Sequence, residues 1–164
     1  MSYYSFKSPV GDLTAFEDEG RLVALEWGWV EGGCQTTILR AAEQQLDDYF
    51  DGRRKAFDLP LAPDGSPFQK KIWAALQKIP YGSVSSYGDL ARDVGSAPRA
   101  VGGACGRNPL PIIVPCHRVL AANGSLGGYS GLDGVQTKLF LLTLEGWTEP
   151  SPAAFSLTKD GVRS

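Results

Sequence analysis

The only histidine of the chain, His117, directly follows a cysteine, Cys116, in the tetrapeptide Pro-Cys-His-Arg at residues 115–118. With an ordinary pKa of ~8.5, a free thiol is only a few per cent ionised at neutral pH, so a nucleophilic cysteine needs a proton acceptor. The imidazole of His117 can supply it. Neighbouring side chains of an extended chain point to opposite sides, so we expect a bent backbone or an intervening water to join the two groups. The pair predicts a cysteine nucleophile with a histidine base; the simpler alternative is a small buried cysteine beside a core histidine.

The cysteine content predicts reduced thiols. Cys34, Cys105 and Cys116 are an odd and sparse set with no C-x-x-C pair, which indicates neither a disulfide framework nor a thiolate zinc site. No apolar run approaches the ~18 residues of a membrane span, and the first ten residues lack the charged-then-apolar order of a signal peptide. We therefore expect a cytoplasmic protein that binds no metal and no membrane.

The elements that position the Cys-His pair fall into two lobes on either side of the turn-forming residues 62–65. Before this linker, alternating apolar residues predict two or three antiparallel strands up to Trp29, a helix over residues 38–50 and a strand over residues 56–61. The predicted lobes are residues 1–62 and residues 66–147, followed by a poorly ordered tail at residues 148–164.

The second lobe is predicted to be helical. Ser66-Pro67-Phe68-Gln69 is a capping box with proline at the first helical position, which predicts a helix to about Ile79. Two short helices, opening near Ser86 and at Pro98 and joined by a glycine turn, suggest a helix-turn-helix. A brief extended run over residues 112–114 leads to Cys116, and a final helix covers residues 135–144, with Leu139 and Leu142 facing the core. The fold class is therefore α/β (α+β): a small antiparallel sheet with a helix, packed on a helical lobe with a winged-helix-like helix-turn-helix.

The net charge of −2 conceals a gradient along the chain. Residues 1–65 carry an excess of six acidic side chains and residues 66–118 an excess of five basic ones. A basic segment of this kind could neutralise DNA phosphates or could be an ordinary solvated surface. Its basic residues are Lys70, Lys71, Lys78, Arg92, Arg99, Arg107 and Arg118.

The helix that begins at Pro98 has almost no side-chain bulk. It contains three glycines in a short stretch, each of which costs about 1 kcal/mol relative to alanine, so something must approach its backbone closely. A DNA minor groove, ~6 Å wide, would require such a smooth surface, whereas tight helix packing uses small residues in the same way. The small residues are Ala100, Gly102, Gly103, Ala104 and Gly106.

Three motifs in a fixed order resemble the O6-alkylguanine-DNA alkyltransferases, also called methylated-DNA-protein-cysteine methyltransferases. They are RAVGGA at residues 99–104, NPLPIIVPCHRV at residues 108–119 and GYSG at residues 128–131. The resemblance covers residues 67–146. It implies that Cys116 accepts an alkyl group irreversibly, that His117 acts as base through a water and that Glu145 orients and charges the imidazole.

The same resemblance implies roles in DNA binding. Asn108 would brace the loop before the cysteine, Arg99 would fill the duplex where a nucleotide is extruded, and Tyr87 would press on a phosphate or donate to the flipped base. Tyr129 and Ser130 would line the base pocket. The complete DNA- and base-binding set is Tyr87, Arg99, Ala100, Gly102, Gly103, Arg107, Tyr129 and Ser130.

The sequence thus predicts a single-turnover DNA repair protein that moves the methyl group of O6-methylguanine in double-stranded DNA to Cys116, with O4-methylthymine left open as a second lesion. No cofactor is expected, because sulfur is the acceptor and the lesion the donor, and a monomer is expected. A non-catalytic lesion-binding protein of the same fold, a cysteine hydrolase and a helix-turn-helix regulator are the alternatives.

Overall fold

The computed structural model describes residues 1–127 and 134–148 of the chain. Two lobes follow one another along the sequence, and the predicted tail lies almost wholly outside the described residues. No helix in this part of the chain is long and apolar enough to cross a membrane. The elements are β1 (Ser2–Phe6), β2 (Leu13–Asp18), β3 (Arg21–Trp27), α1 (Thr37–Phe50), α2 (Pro67–Leu76), β4 (Ser85–Ser86), α3 (Tyr87–Val94), α4 (Pro98–Gly106), β5 (Val119–Leu120) and α5 (Val135–Leu144).

The first lobe is an antiparallel sheet of order β1-β2-β3 covered by α1. The chain alternates apolar and polar side chains in these strands, so one face is buried against the helix. Helix α1 begins after Thr36, whose hydroxyl accepts a hydrogen bond from the amide of Leu39. Its buried face consists of Leu39, Ala42, Leu46 and Tyr49. The antiparallel strands predicted up to Trp29 and the helix of this lobe are confirmed.

The strand predicted over residues 56–61 is wrong. Only Leu61 bridges to the sheet, in a parallel pair with Leu22 of β3. Upstream, the side-chain amide of Gln45 in α1 both donates to and accepts from the backbone of Asp58, so α1 replaces a strand partner there.

The second lobe contains the predicted capping box and helix-turn-helix. Ser66 and Gln69 cap α2 reciprocally, and α3 ends at Gly95 in the left-handed conformation before α4 begins. Helix α2 ends at Leu76, three residues earlier than predicted. The indole of Trp73 in α2 donates a 2.9 Å hydrogen bond to the carbonyl of Ala104 in α4, which fixes α4 on the lobe.

The loop between α4 and Cys116 packs against the first lobe, where the amide of Leu25 in β3 donates to the carbonyl of Pro109 at 2.8 Å. Residues 112–114 were predicted to be extended, but they form a turn in which Ile112 has φ +75°. The final helix α5 has the predicted bounds and buries Leu141 and Leu142, whereas Leu139 is only half-buried.

Candidate active site and nucleic-acid surface

Cys116, His117 and Arg118 form one turn of 3-10 helix, and all three side chains are buried. The turn begins immediately after Pro115, where the amide of Cys116 donates to the carbonyl of Val114 at 2.8 Å. Because the backbone bends here, the adjacent cysteine and histidine are not held in the extended arrangement that would send their side chains to opposite sides. The expected bent backbone is present.

The imidazole of His117 is directed at Glu145, the residue that ends α5. Its Nε2 lies 2.8 Å from Oε2 of Glu145, and both side chains are completely buried. A carboxylate accepts hydrogen bonds, so Nε2 carries the proton and Nδ1 has a bare lone pair. Nδ1 has no hydrogen-bond partner among the described residues. The imidazole is therefore oriented to accept a proton at Nδ1.

The charges of this pair follow from burial and hydrogen bonding. Burial opposes the charge of Glu145, but hydrogen bonds from His117, Arg118 and Tyr49 outweigh it and lower the pKa of Glu145 to about 2. Burial also lowers the pKa of His117 and outweighs its bond to the carboxylate. At neutral pH, Glu145 is ionised and His117 is a neutral base.

Arg118 is not a phosphate contact, contrary to its place in the predicted basic surface. Its side chain is buried, with Nε donating to Oε1 of Glu145 at 2.8 Å and Nη2 to Oε2 at 3.0 Å. Nη1 donates to the carbonyl of Ile79 at 2.6 Å. A planar guanidinium that donates hydrogen bonds to both carboxylate oxygens holds Glu145 in one orientation.

A lysine that the sequence analysis missed lies beside the cysteine. Lys138 of α5 is fully buried, and its ammonium donates to the carbonyl of Val119 at 2.7 Å. Burial lowers its pKa to about 8, against the opposing charges of Cys116 and Cys105. The available signal was the one charged residue of a largely apolar helix, two turns before Glu145 on the same face. A cation at this position favours a thiolate.

Tyr87, the first residue of α3, packs against the same lysine, with the ammonium 5.9 Å from the ring centre. Burial raises the pKa of Tyr87 to about 12, with the nearby sulfurs of Cys105 and Cys116 adding to the shift. Its hydroxyl is thus a proton donor at physiological pH. Cys105 of α4 is buried as well, and burial raises its pKa to about 12, which keeps it a thiol.

Asn108 closes the loop that carries the cysteine. Its side-chain nitrogen donates to the carbonyl of Val114 at 2.8 Å, and its side-chain oxygen accepts from the amide of Leu110 at 3.0 Å. The bond to Val114 spans the turn at Ile112, a β-branched residue whose positive φ is sterically unfavourable, and the bond from Leu110 fixes the chain just before that turn. The amide side chain therefore offsets strain in a loop two residues before Cys116.

We expect Asn108→Ala to destabilise the protein by about 1–3 kcal/mol, because two loop hydrogen bonds are lost while the strain at Ile112 remains. Chemical denaturation of both proteins measures this difference. Asn123→Ala is the matched control, since among the described residues its side chain bonds only the exposed amide of Ser125 and its loss should change stability by less than about 0.5 kcal/mol. Equal stabilities for the wild type and Asn108→Ala would contradict the bracing role.

The exposed face of α4 is smooth and carries a cation at each end. Arg99, Ala100, Gly103 and Arg107 are exposed, while Gly102 is half-buried. A Cβ built at Gly103 or Gly106 would meet no described atom within 4 Å. Internal packing therefore does not require glycine at these two positions, which removes helix packing as their explanation. Tyr129 and Ser130 lie outside the described residues.

These features define a class of protein: a two-lobed α/β chain with a helix-turn-helix, whose smooth second helix lies on the lobe that holds a buried Cys-His-Glu set. The comparisons with known proteins identify the family within that class. Residues 67–147 match the 6-O-methylguanine DNA methyltransferase, DNA binding domain, and residues 1–63 match the ribonuclease-like domain of the same family. The chain belongs to the 6-O-methylguanine DNA methyltransferase family.

Individual relatives agree with this assignment. The methylated-DNA-protein-cysteine methyltransferase of Methanosarcina acetivorans is 45% identical, covering 89% of this chain and 99% of the relative. The constitutive enzyme of Bacillus subtilis is 46% identical over 88% of this chain and 96% of its own length. The crystal structure of Mycobacterium tuberculosis OGT in complex with DNA superposes with a TM-score of 0.78 at 40% identity, over 88% of this chain and 92% of that one. The chain is a DNA repair methyltransferase that uses a protein cysteine as acceptor.

Proposed function

We propose that Cys116 is the acceptor and that its donor is O6-alkylguanine in double-stranded DNA. The observation that carries the proposal is the geometry of His117, whose Nε2 is held by Glu145 while Nδ1 has no hydrogen-bond partner among the described residues. A neutral imidazole with a bare nitrogen, next to a cysteine and a buried ammonium, is what thiolate formation requires.

The proposed reaction is an in-line displacement. The thiol proton passes to Nδ1 of His117, directly or through a water, and the sulfur attacks the alkyl carbon. The S–C bond forms as the C–O6 bond breaks, and the electron pair of the broken bond stays on guanine, which takes up one proton. The hydroxyl of Tyr87 is a donor suited to that base. Since the thioether is not reversed by any group in this scheme, each molecule acts once and needs no cofactor.

The DNA would bind along the smooth face of α4. Its lack of bulk suits a minor groove, with Arg99 entering the base stack where the damaged nucleotide leaves it and Arg107 on the phosphate backbone. Extrusion costs a few kcal/mol and less for a poorly paired base, which helps to select alkylated guanine. By resemblance, Tyr129 and Ser130 would line the pocket that receives the base.

Mass spectrometry of the reacted protein tests the proposal. After incubation with a duplex that contains one O6-methylguanine, we expect one added methyl group on the peptide that carries Cys116, and one guanine restored per methylated molecule. Lesion binding with Cys116 unmodified would instead favour a non-catalytic lesion-binding protein. Methyl found on Cys34 or Cys105 would show that the acceptor has been misassigned.

Bulk on α4 should weaken DNA binding without harming the fold. We expect Gly103→Leu to lower duplex affinity about tenfold or more, because the side chain stands in the groove, and to raise stability by about 0.5–1 kcal/mol through helix propensity. Fluorescence anisotropy at fixed salt and thermal unfolding measure the two effects. Gly103→Ala is the graded control, for which we expect the same gain in stability and a smaller loss of duplex affinity than for Gly103→Leu. Unchanged affinity in Gly103→Leu would exclude α4 from the interface.

We also infer the cellular compartment of the protein, its division into lobes and its oligomeric state. The three cysteines are free, which suits the reducing cytoplasm. We assign the acidic lobe to residues 1–62 and the DNA-binding lobe to residues 66–147, a division supported by the two family matches. A monomer on DNA is the simplest state for a reaction in which one sulfur meets one lesion, and light scattering of the complex checks it.

A further inference from the structure

The first lobe contributes one side chain to the hydrogen-bond network of the candidate active site. Tyr49, in the last turn of α1, is fully buried, and its hydroxyl donates to Oε2 of Glu145 at 2.6 Å. The two residues are separated by 96 positions in the sequence. This length is typical of a charge-assisted O–H to carboxylate bond, which is stronger than a bond between neutral groups.

Oxygen Oε2 of Glu145 is the centre of the network. It accepts from the hydroxyl of Tyr49, from Nε2 of His117 and from Nη2 of Arg118, while Oε1 accepts from Nε of Arg118. Of these described donors, only Tyr49 belongs to the first lobe. It therefore shares with His117 the oxygen that orients the imidazole.

The hydroxyl of Tyr49 is held in place by aromatic packing. Its ring lies 5.3 Å from that of Phe50, 5.4 Å from that of Phe57 and 6.2 Å from that of Tyr81, measured between ring centres. Burial, followed by the charge of Glu145, raises the pKa of Tyr49, so the hydroxyl keeps its proton over the whole working range. Tyr49 is thus a fixed donor and never an acid in the reaction.

We propose that Tyr49 is a positioning residue for alkyl transfer, which acts through Glu145 to keep the proton of His117 on Nε2 and to leave Nδ1 bare for the proton of Cys116. A donor on Oε2 lowers the affinity of the carboxylate for a proton. When His117 accepts the proton of Cys116, its Nε2 proton therefore remains on the imidazole rather than moving to Glu145. The site is completed across the two lobes, which gives the first lobe a part in the chemistry. This inference rests on the proposed roles of Cys116, His117 and Glu145.

The expected consequence of removing the hydroxyl has a definite sign. Without Tyr49 as donor, the negative charge of Glu145 acts more strongly on the imidazole and raises the pKa of His117. Only neutral His117 accepts a proton. As the pH is lowered, the rate of transfer should therefore begin to decrease at a higher pH in the variant than in the wild type. The charged or titratable groups near His117 or its carboxylate are Cys116, Arg118 and Glu145, Lys138 of α5, Tyr49 of α1, and Tyr81 after α2.

Two tyrosine substitutions in the full chain provide a matched comparison. Tyr49→Phe removes the hydrogen bond to Glu145. Tyr81 belongs to the same aromatic cluster, and Tyr81→Phe removes a hydrogen bond of 3.2 Å to the backbone carbonyl of Leu144. The single-turnover rate of methyl transfer from an O6-methylguanine duplex is measured for each from pH 5 to pH 9. We expect Tyr49→Phe to react about tenfold more slowly, with its acid limb displaced to higher pH, and Tyr81→Phe to keep the wild-type profile.

Because His117 is the only histidine of the chain, its titration can also be followed by NMR on histidine-labelled protein without any DNA. We expect the protonated nitrogen to be Nε2 in the wild type and the midpoint to rise in Tyr49→Phe but not in Tyr81→Phe. Replacing Tyr49 with 3-fluorotyrosine, which keeps the ring and makes the hydroxyl a stronger donor, should lower the midpoint and tests the inference if Tyr49→Phe unfolds.

The inference is overturned if the midpoint of the His117 titration is unchanged both in Tyr49→Phe and in the protein with 3-fluorotyrosine at residue 49. It is also overturned if Tyr81→Phe moves the midpoint as much as Tyr49→Phe does. Failure of the proposed function has a different signature: the wild type would not transfer methyl at all, while the titration would still report whether Tyr49 acts on His117.

Discussion

Replacing Cys116 with alanine should abolish methyl transfer while leaving lesion-containing duplex bound. The sulfur is the proposed acceptor and no other group can replace it, so the loss should be complete within detection rather than partial. The protein should remain folded, because alanine fills most of the small buried volume of a cysteine, at a cost of about 1–2 kcal/mol. Radiolabelled methyl transfer and anisotropy with the same duplex measure the two properties.

The matched control for this substitution is Cys105→Ala. Cys105 is also buried and also lies near Lys138, but burial raises its pKa to about 12, and it lacks the adjacent histidine. We expect it to retain transfer within about threefold of the wild type, since it loses packing and no reacting group. If Cys116→Ala still removed methyl from DNA, or if Cys105→Ala did not, the assignment of the nucleophile would be wrong.

Replacing Glu145 with glutamine should damage both stability and activity. The amide removes the counter-charge of the buried Arg118 and presents a donor to partners that are all donors, so we expect a loss of about 3–5 kcal/mol of unfolding free energy. Neutral glutamine also cannot stabilise the imidazolium that forms when His117 takes up a proton. Single-turnover transfer should therefore slow by about 10²-fold or more.

The pH dependence of this stability loss has a fixed sign. The pKa of Glu145 falls from its ordinary value of 4.5 to about 2 on folding, so the carboxylate stabilises the protein most above pH 4.5. That contribution, about 3 kcal/mol by linkage, shrinks as the pH falls and is lost below about pH 2. Denaturation of the wild type and Glu145→Gln at several pH values should show the two stabilities converging in acid.

Glu26→Gln serves as the control for Glu145→Gln because this glutamate is exposed on β3. This substitution makes the same chemical change at the surface. There we expect the free energy of unfolding to change by less than about 0.5 kcal/mol and the rate of methyl transfer to stay unchanged. A stability difference between the wild type and Glu145→Gln that did not depend on pH would mean that the carboxylate is not held ionised by its neighbours.

One buried carboxylate connects the two lobes with the reaction. Glu145 accepts hydrogen bonds from Arg118 and His117, in the turn that carries Cys116, and from Tyr49 of α1. All of these groups are buried, where an unsatisfied charge is costly in free energy. A change at the lobe boundary that shifts α1 should therefore alter the hydrogen bonding of His117, the proposed base for Cys116. Under the proposal, a first lobe without a reacting group of its own affects the chemistry through this arrangement.

Most of the local structure could be predicted from the sequence. The capping box at Ser66, the glycine after α3 and the alternation in β1 to β3 are short-range patterns, and each appears where predicted. One failure is also local in origin. Ile112 was expected to be extended because β-branched residues favour strands, but the turn braced by Asn108 overrides that preference.

The type of chemistry could be predicted from the order of the residues alone, because a cysteine beside the only histidine, within ordered motifs, is a property of spacing along the chain. The partners of those residues became evident only in the folded chain. Arg118 looked like a surface cation and is buried on Glu145, Lys138 was marked only as the one charged residue of its helix, and Tyr49 gave no local sign of a role. These side chains come from distant segments, and burial, which raises the cost of every unpaired charge, exists only once the chain has folded.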